Sequence, residues 1–251
     1  RADVAATASA IDEHTALVVG SAPCYPYGVI DPITELAAVA AEAGVLCHVD
    51  ACLGGWLLPF WAELGESVPP WDFSVPGVTS MSADIHKYAY CFKGASVVLY
   101  NERELLRHQH FVYTDWPGGL YASATAAGTR PAPPIAGAWT VMHHLGRDGL
   151  LAKAAVIQET TRRMTEGIEA IDGIDITGLP DMSVFEISSD VHDIGGIGDV
   201  MDDKGWNLDR QGGLHLMISP GHIHVVDEFL SDLAHAVAHH GPARDPMARY
   251  S

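Results

Sequence analysis

The amino-acid sequence predicts an α/β protein, with a mostly parallel sheet in its first part and a smaller α/β domain at its carboxyl end. Short apolar runs that end in small residues or proline alternate with alanine-rich helical segments, and the links between them are short. This alternation is typical of βαβ units, whose ligand sites lie at the carboxyl ends of the strands. We expect the two domains at residues 1–149 and 150–251.

Local sequence signals in the first part of the chain predict two helices and four strands. In the second helix Asp31 is a candidate N-cap, Pro32 a candidate first helical residue and Gly44 a C-terminal stop. Valine-rich runs with small flanking residues indicate strands. We expect helices over 3–13 and 31–44, and strands within 15–23 and at 45–51, 78–84 and 95–100.

The second part begins with a loop rich in glycine and proline, which we expect over 115–134. A helix is predicted from about 135 to 171, with a bend near Gly146–Gly149. The tail at 241–251 is expected to be frayed. Between them the pattern predicts strands near 174–177, 183–188 and 214–218, and helices near 195–204 and 222–240.

Composition limits the classes of partner. The chain has 14 lysines and arginines against 32 aspartates and glutamates, a formal net charge of −18, so we expect no nucleic-acid partner. Any lysine that binds an anion must do so in a local pocket. No apolar run approaches the roughly 20 residues that span a bilayer, so membrane contact is expected only if a missing amino-terminal segment supplies it. Four cysteines without a CxxC pair indicate reduced thiols and a cytoplasmic location.

Two residues suggest a reactive site. Asp50 ends a hydrophobic strand in "HVDACLGG", and Lys87 follows the next predicted strand. Neighbouring parallel strands would bring both side chains to one edge of the sheet. Lysine can form a Schiff base with an aldehyde cofactor, and a carboxylate can keep a pyridine nitrogen protonated. A capping or turn role for Asp50 is the alternative.

The histidine pairs and a glycine-rich motif are interpreted as structural features and not as binding sites. The histidine pairs at 108–110, 143–144, 222–224 and 239–240 lie on separate predicted elements, so we expect no metal site. The "GGIG" at 195–198 lacks the strand context of a dinucleotide site and is interpreted as a helix start.

Three segments carry a family resemblance. "HVDACLGGWLLPF", "GVTSMSADIHKYAYCFKGASVVLY" and "TDWPGGLYASATAAGTRP" resemble segments of the sphingosine-1-phosphate lyases, pyridoxal-phosphate enzymes of fold type I in the group II decarboxylase lineage. The first two would indicate only the wider decarboxylase group, whereas the third favours the lyases. The resemblance implies the carboxyl-terminal portion of such an enzyme, with an incomplete large domain and pyridoxal 5'-phosphate as cofactor.

The resemblance also implies roles for single residues. Lys87 matches the lysine that forms the internal aldimine, Asp50 the partner of the pyridine nitrogen, and His86 a contact of the cofactor phosphate. Cys52 is expected to line the cofactor pocket, with a core thiol as the equal alternative. Lys93 matches a lysine assigned to the substrate phosphate.

Further roles involve a tyrosine and a second subunit. Tyr25, in "SAPCYPYG", matches an active-site tyrosine of the lyases, with turn packing as the alternative. The loop "AAGTR", which contains Gly128 and Thr129, matches one that reaches the cofactor phosphate of the neighbouring subunit in a homodimer with a shared active site.

The implied reaction is carbon–carbon cleavage of a phosphorylated long-chain amino alcohol to a fatty aldehyde and phosphoethanolamine. An amino-acid decarboxylase on the same scaffold is one alternative, but it has no need of a substrate-phosphate cation at Lys93. A catalytically silent fragment is the other. The phosphate loop and the stacking ring that the family carries in its amino-terminal part are not found before residue 15, so we expect this chain to be inactive alone.

Overall fold

A computed structural model of the chain describes residues 1–244. The chain forms two compact units: the first comprises 1–22, 31–57 and 69–147, and the second comprises 23–30, 58–68 and the residues from 148 onward. The predicted domain boundary at 149/150 stays a prediction. Of the tail that was expected to be frayed, residues 245–251 lie outside the described residues.

The first unit contains a four-stranded sheet in the order β1-β2-β3-β4. The first three strands are parallel to one another, and β4 is antiparallel to β3. The predicted α/β fold with a mostly parallel sheet is therefore confirmed. The strands are β1 (Leu17–Ser21), β2 (Leu46–Asp50), β3 (Ser80–Asp84) and β4 (Ser96–Tyr100).

Helix α1 (Val4–Ala10) is shorter than predicted, and α2 (Ile33–Ala43) ends as predicted at Gly44, whose φ of 70° is left-handed. The predicted N-cap of α2 is wrong. The cap position is Pro32, and the Asp31 carboxylate instead accepts hydrogen bonds from the backbone N–H of Ala2 at 2.7 Å and of Ser21 at 2.8 Å. Asp31 thus joins the end of β1 to the start of the chain.

The sheet of the first unit has one buried and one exposed face. Because side chains alternate along a strand, residues two apart share a face. Helix α2 contacts β1 and β2. The buried face carries Val18, Cys47, Val49, Met81 and Ala83. Leu17, Val19, Leu46 and Val98 lie on the other face and are 43–54% exposed.

Between β4 and the long helix lie α4 (Arg103–Arg107) and a hairpin of β5 (Phe111–Tyr113) and β6 (Tyr121–Ser123). The predicted loop over 115–134 is wrong in part: glycine and proline form the hairpin turn, but Tyr121–Ser123 pairs with β5. Helix α5 (Ala132–Glu169) begins before the predicted loop ends. It is broken at Gly146 (φ 57°, ψ −171°), as predicted.

The second unit has an antiparallel sheet in the order β7-β8-β10-β9. Helix α6 begins after Asp193, whose carboxylate accepts from Gly196 N–H at 3.1 Å, so "GGIG" is a helix start as predicted. The last helix begins later than predicted, after a 3₁₀ turn over Pro220–His224. The remaining elements are α3 (Leu58–Glu63), β7 (Asp175–Ile176), β8 (Val184–Ser188), α6 (Ile194–Asp203), β9 (Asp209–Arg210), β10 (Leu214–Met217) and α7 (Val226–His239).

Candidate functional site

The carboxyl ends of β2 and β3 form the centre of the site in the first unit. Asp50 is the last residue of β2 and pairs in register with Ser82 of β3, and Asp84 is the last residue of β3. The chain then turns and presents His86 and Lys87 at the same edge. Asp50 and Lys87 are near enough for the lysine charge to act on the carboxylate.

The Asp50 carboxylate is held by its neighbours. Its Oδ1 accepts from Cys52 N–H at 3.0 Å and from Ser82 Oγ at 3.2 Å. Burial by itself would raise the pKa of Asp50, but the hydrogen bonds from Cys52 and Ser82 and the positive charge of Lys87 outweigh it and lower that pKa. The carboxylate is therefore ionised at neutral pH, the form that can pair with a protonated nitrogen.

Cys52 and His48 complete the surroundings of Asp50. The Cys52 thiol donates to Ser82 Oγ at 3.3 Å, and burial, with the nearby carboxylates, raises the pKa of that thiol to about 11. His48 lies between two hydroxyls, with Nδ1 2.8 Å from Ser80 Oγ and Nε2 3.3 Å from Ser82 Oγ. Burial lowers the pKa of His48. Both groups are therefore uncharged at neutral pH and serve to orient Ser82.

Lys87 forms an ion pair with Asp84. Its Nζ is 3.0 Å from Asp84 Oδ2, and the side chains of Lys87 and Asp84 are 30% and 13% exposed. Ser96 Oγ donates to Asp84 Oδ1 at 2.5 Å. Burial opposes ionisation of Asp84, but Ser96, Lys87 and His86 together lower its pKa. Asp84 is absent from the residues that the sequence predicts for the site, although it ends a strand next to that of Asp50.

His86 is fixed beside the same carboxylate. Its Nδ1 donates to the backbone carbonyl of Ala95 at 3.1 Å, and its Nε2 lies 3.7 Å from Asp84 Oδ2. The backbone acceptor fixes the orientation of the ring. His86 is therefore positioned by β4 as well as by its own turn.

The aromatic stretch around the two lysines anchors their loop. Ile85, Ala89 and Cys91 are buried in a small cluster with Ala138 of α5. The Cys91 thiol contacts the carbonyl of Pro134 at 3.6 Å. Lys93 follows on the same loop with an exposed side chain. Ile85, Ala89 and Cys91 thus fix the loop, whereas Phe92 and Lys93 are exposed at its end.

The other predicted residues lie in different places. Tyr25 belongs to the second unit, where its hydroxyl donates to Asp209 Oδ2 at 2.6 Å and its ring lies 5.9 Å from that of His215. Gly128 and Thr129 lie in the first unit, in the turn between β6 and α5, where Gly128 has a φ of 66°.

The second unit also contains a buried histidine beside a buried glutamate, a pair that the sequence does not predict. His215 Nε2 lies 3.2 Å from Glu186 Oε2, and the two side chains are 0% and 8% exposed. Thr177 Oγ1 donates to the other Glu186 oxygen at 2.7 Å. A glutamate within the apolar run "VFEIS" is the signal that could have indicated it.

The residues at the edge of β2 and β3 fit an aldehyde cofactor with a pyridine ring. Lys87 provides the amine that can bond to the aldehyde, and Asp50 provides an ionised carboxylate for the ring nitrogen.

Within residues 1–244 there is no group of three or more histidine, cysteine or acidic side chains that could hold a metal ion. None of the four cysteines, all within the described residues, forms a disulfide. No helix in that range has the length and apolar character to cross a membrane.

The family model and the individual relatives that match this chain agree on its family. Residues 15–183 match the pyridoxal-dependent decarboxylase conserved domain. Sphingosine-1-phosphate lyase of Arabidopsis thaliana is 46% identical over 99% of this chain and 47% of its own length. Sphingosine-1-phosphate lyase 1 of Rattus norvegicus is 42% identical over 94% of this chain and 42% of its own length. The chain thus spans about half the length of the curated relatives it matches.

Solved structures agree with these similarities. The sphingosine-1-phosphate lyase of Burkholderia pseudomallei superposes with a TM-score of 0.90 at 41% identity, covering 95% of this chain and 55% of the other. Glutamate decarboxylase of Lactobacillus brevis gives a TM-score of 0.78 at 20% identity over 94% of this chain and 58% of its own, which shows the fold alone. The predicted resemblance and the predicted fold class are both confirmed.

Proposed function

Because the chain belongs to the pyridoxal-dependent decarboxylase family, we propose that it is the lysine-bearing portion of a lyase that cleaves a phosphorylated long-chain amino alcohol. The products would be a fatty aldehyde and phosphoethanolamine. The observation that carries this proposal is the 46% identity to a sphingosine-1-phosphate lyase over 99% of the chain, a span that contains the positions of Lys87 and Asp50. The cofactor is pyridoxal 5'-phosphate, bound at the edge of β2 and β3.

Each residue of the site has a task in this reaction. Lys87 would hold the cofactor through its amine, which can bond to an aldehyde carbon and can be displaced there by a substrate amine. Asp50 keeps a proton on the ring nitrogen, while Ser82 and Cys52 orient its carboxylate. When bound, the protonated ring supplies an electron sink for the pair that remains after the C2–C3 bond breaks. His86 would contact the cofactor phosphate.

The position of Lys93 is evidence in favour of a phosphorylated substrate. It is an exposed cation on the loop that follows Lys87, in a chain whose formal net charge is −18. An anionic substrate would be repelled by most of this surface, so a local cation is needed to bind its phosphate. This position distinguishes the lyase from the decarboxylase alternative, whose amino-acid substrate carries no phosphate.

A homodimer with a shared active site is part of the proposal. The loop with Gly128 and Thr129 would reach the cofactor phosphate of the second subunit. The hairpin of β5 and β6 precedes this loop and exposes large apolar side chains, which is evidence for a surface that contacts a partner subunit. We also propose a cytoplasmic location, since the four cysteines form no disulfide in the described part of the chain. The exposed residues are Phe111, Val112, Tyr113, Trp116, Leu120 and Tyr121.

The test uses the protein that contains this chain in full length. It is incubated with pyridoxal 5'-phosphate and reduced with borohydride, and the modified residue is identified by mass spectrometry; aldehyde release from sphingosine 1-phosphate is then measured. We expect the label on Lys87 and its loss in Lys87→Ala, with Lys204→Ala as the matched control. A label elsewhere would refute the site, and carbon dioxide release from an amino acid without aldehyde release would favour the decarboxylase.

A further inference from the structure

We propose that Asp84 is a positioning residue for Lys87: its carboxylate holds the lysine ammonium whenever that lysine is not bonded to the cofactor. This inference rests on the proposed function only in taking Lys87 as the cofactor lysine. It concerns a residue that the sequence motifs leave without a role. Its basis is that the carboxylates of Asp50 and Asp84, which lie at one edge of the sheet, have different hydrogen-bond partners.

The position of the Asp84 carboxylate is fixed by the fold. Asp84 ends β3 and pairs in register with Ser96 of β4. The Ser96 hydroxyl occupies Oδ1, which leaves Oδ2 directed to Lys87 Nζ at 3.0 Å. The backbone N–H of Lys87 also points to the Asp84 carbonyl, at 3.4 Å, so the turn itself brings the two side chains together.

The two carboxylates act on Lys87 differently. Lys87 donates a hydrogen bond to Asp84, whereas it influences Asp50 only through the distance-dependent attraction of opposite charges. The hydrogen bonds to Asp50 come from Cys52 and Ser82 instead. Asp84 therefore keeps the ammonium away from Asp50, and the Asp50 carboxylate stays available to a ring nitrogen.

The pairing of Asp84 with Lys87 is important when the amine of the substrate replaces the amine of Lys87 on the cofactor. When the substrate amine takes the place of Lys87, one carbon–nitrogen bond would form as the bond to Lys87 breaks. The protons that the substrate ammonium loses would be taken up by the lysine nitrogen, which thereby becomes an ammonium. The new ammonium has four flexible carbons and a partly exposed side chain. An ionised carboxylate that is already oriented by Ser96 holds it at the site without a search through solvent.

The test measures how readily Lys87 reacts when no cofactor or substrate is present. The full-length protein is treated at neutral pH with formaldehyde and cyanoborohydride, and the methylation rate of each lysine is followed by mass spectrometry. We expect Asp84→Asn to speed methylation of Lys87 about tenfold, because one charge-assisted hydrogen bond of about 1.5 kcal/mol no longer restrains the amine. Ser96→Ala should give a smaller increase.

Two controls separate positioning from structural damage. Asp72→Asn removes a carboxylate that accepts from Ser74 N–H within its own turn, and should leave the Lys87 rate unchanged. The rates of Lys93 and Lys204 in each variant report whether the fold is intact. A damaged fold would change those rates as well, whereas loss of the restraint changes Lys87 alone.

The wild-type protein provides a test that needs no variant. Raising the ionic strength from about 0.01 to about 1 M shortens the Debye length from about 30 to about 3 Å, and should speed methylation of Lys87 relative to Lys93. A Lys87 rate that neither salt nor Asp84→Asn increases would overturn the proposal. That outcome together with aldehyde release by the enzyme would leave the proposed function standing, so the two failures are distinguishable.

Discussion

Replacing Gly94 with alanine should destabilise the loop that carries the two lysines of the site. Gly94 has a φ of 116°, and a Cβ at this position would lie 2.8 Å from Cγ and 3.3 Å from Cβ of Pro134. Pro134 is in the first turn of α5 and its ring fixes its own backbone, so it cannot rotate away. The loop and the helix would have to separate.

Gly119 allows the two causes of this loss to be separated. It lies in the same unit with a φ of 91°, but a Cβ there would meet nothing within 4 Å. A left-handed backbone costs about 1–2 kcal/mol for alanine, and the stiffer unfolded chain returns about 0.4–1 kcal/mol. We expect Gly119→Ala to lower the free energy of unfolding by about 1 kcal/mol. Overpacking against Pro134 adds about 1–3 kcal/mol, so Gly94→Ala should cost about 2–4 kcal/mol.

The measurement is urea denaturation of both variants, followed by tryptophan fluorescence and circular dichroism. The difference between the variants isolates the contact with Pro134, because both glycines have a positive φ. Equal losses of stability in Gly94→Ala and Gly119→Ala would refute the reasoning, since they would show that the close approach of loop and helix contributes nothing.

Three further predictions concern charge and cofactor. Lys93→Ala in the full-length protein should reduce specificity for the phosphorylated over the unphosphorylated substrate about ten- to a hundredfold, from about 1.5–3 kcal/mol for one charge-assisted contact; equal losses toward both would mean that Lys93 only shapes its loop. The lowered pKa values of Asp50 and Asp84 stabilise the fold above the ordinary value of 3.8, and this stability should be lost as the pH falls through the lower folded values. Asp84→Asn should make acid unfolding followed by circular dichroism less steep, and an unchanged acid transition would contradict this. The 251-residue chain alone should bind pyridoxal 5'-phosphate weakly and release no aldehyde, and tight stoichiometric binding in an absorbance titration with turnover would show the opposite.

The sequence predicts the helices and strands well where several local signals agree. Gly44 and Gly146 are examples, because a left-handed backbone selects glycine whatever surrounds it. Asp31 shows where local signals fail. It has the residue type of an N-cap, but its two oxygens are taken by backbone groups of Ala2 and Ser21, which lie 29 and 10 positions away. Such long-range competition cannot be inferred from a helix pattern.

The candidate site shows the same limit. Asp50 and Lys87 could be predicted as candidates because Asp50 ends one strand, Lys87 follows the next, and their residue types suit one cofactor. Asp84 could not, because its role depends on the pairing of β3 with β4, which brings Ser96 to one of its oxygens. The register of an antiparallel partner is set by tertiary structure, so the carboxylate that contacts Lys87 becomes evident only in the fold.

The exposed face of the first sheet connects the site to the weak binding expected of this chain alone. Register places Asp50, Ser82 and Asp84 on the same face as Leu17, Val19 and Leu46. Parallel sheets are normally covered on both faces, and here the face with the site is open to solvent in the described chain. Water screens the ion pair of Lys87 with Asp84 and the attraction between Lys87 and Asp50, and weakens both. Any polypeptide that covered the apolar end of this face would also lower the dielectric around Asp50 and Lys87. Cofactor affinity should therefore rise together with burial of Leu17, Val19 and Leu46.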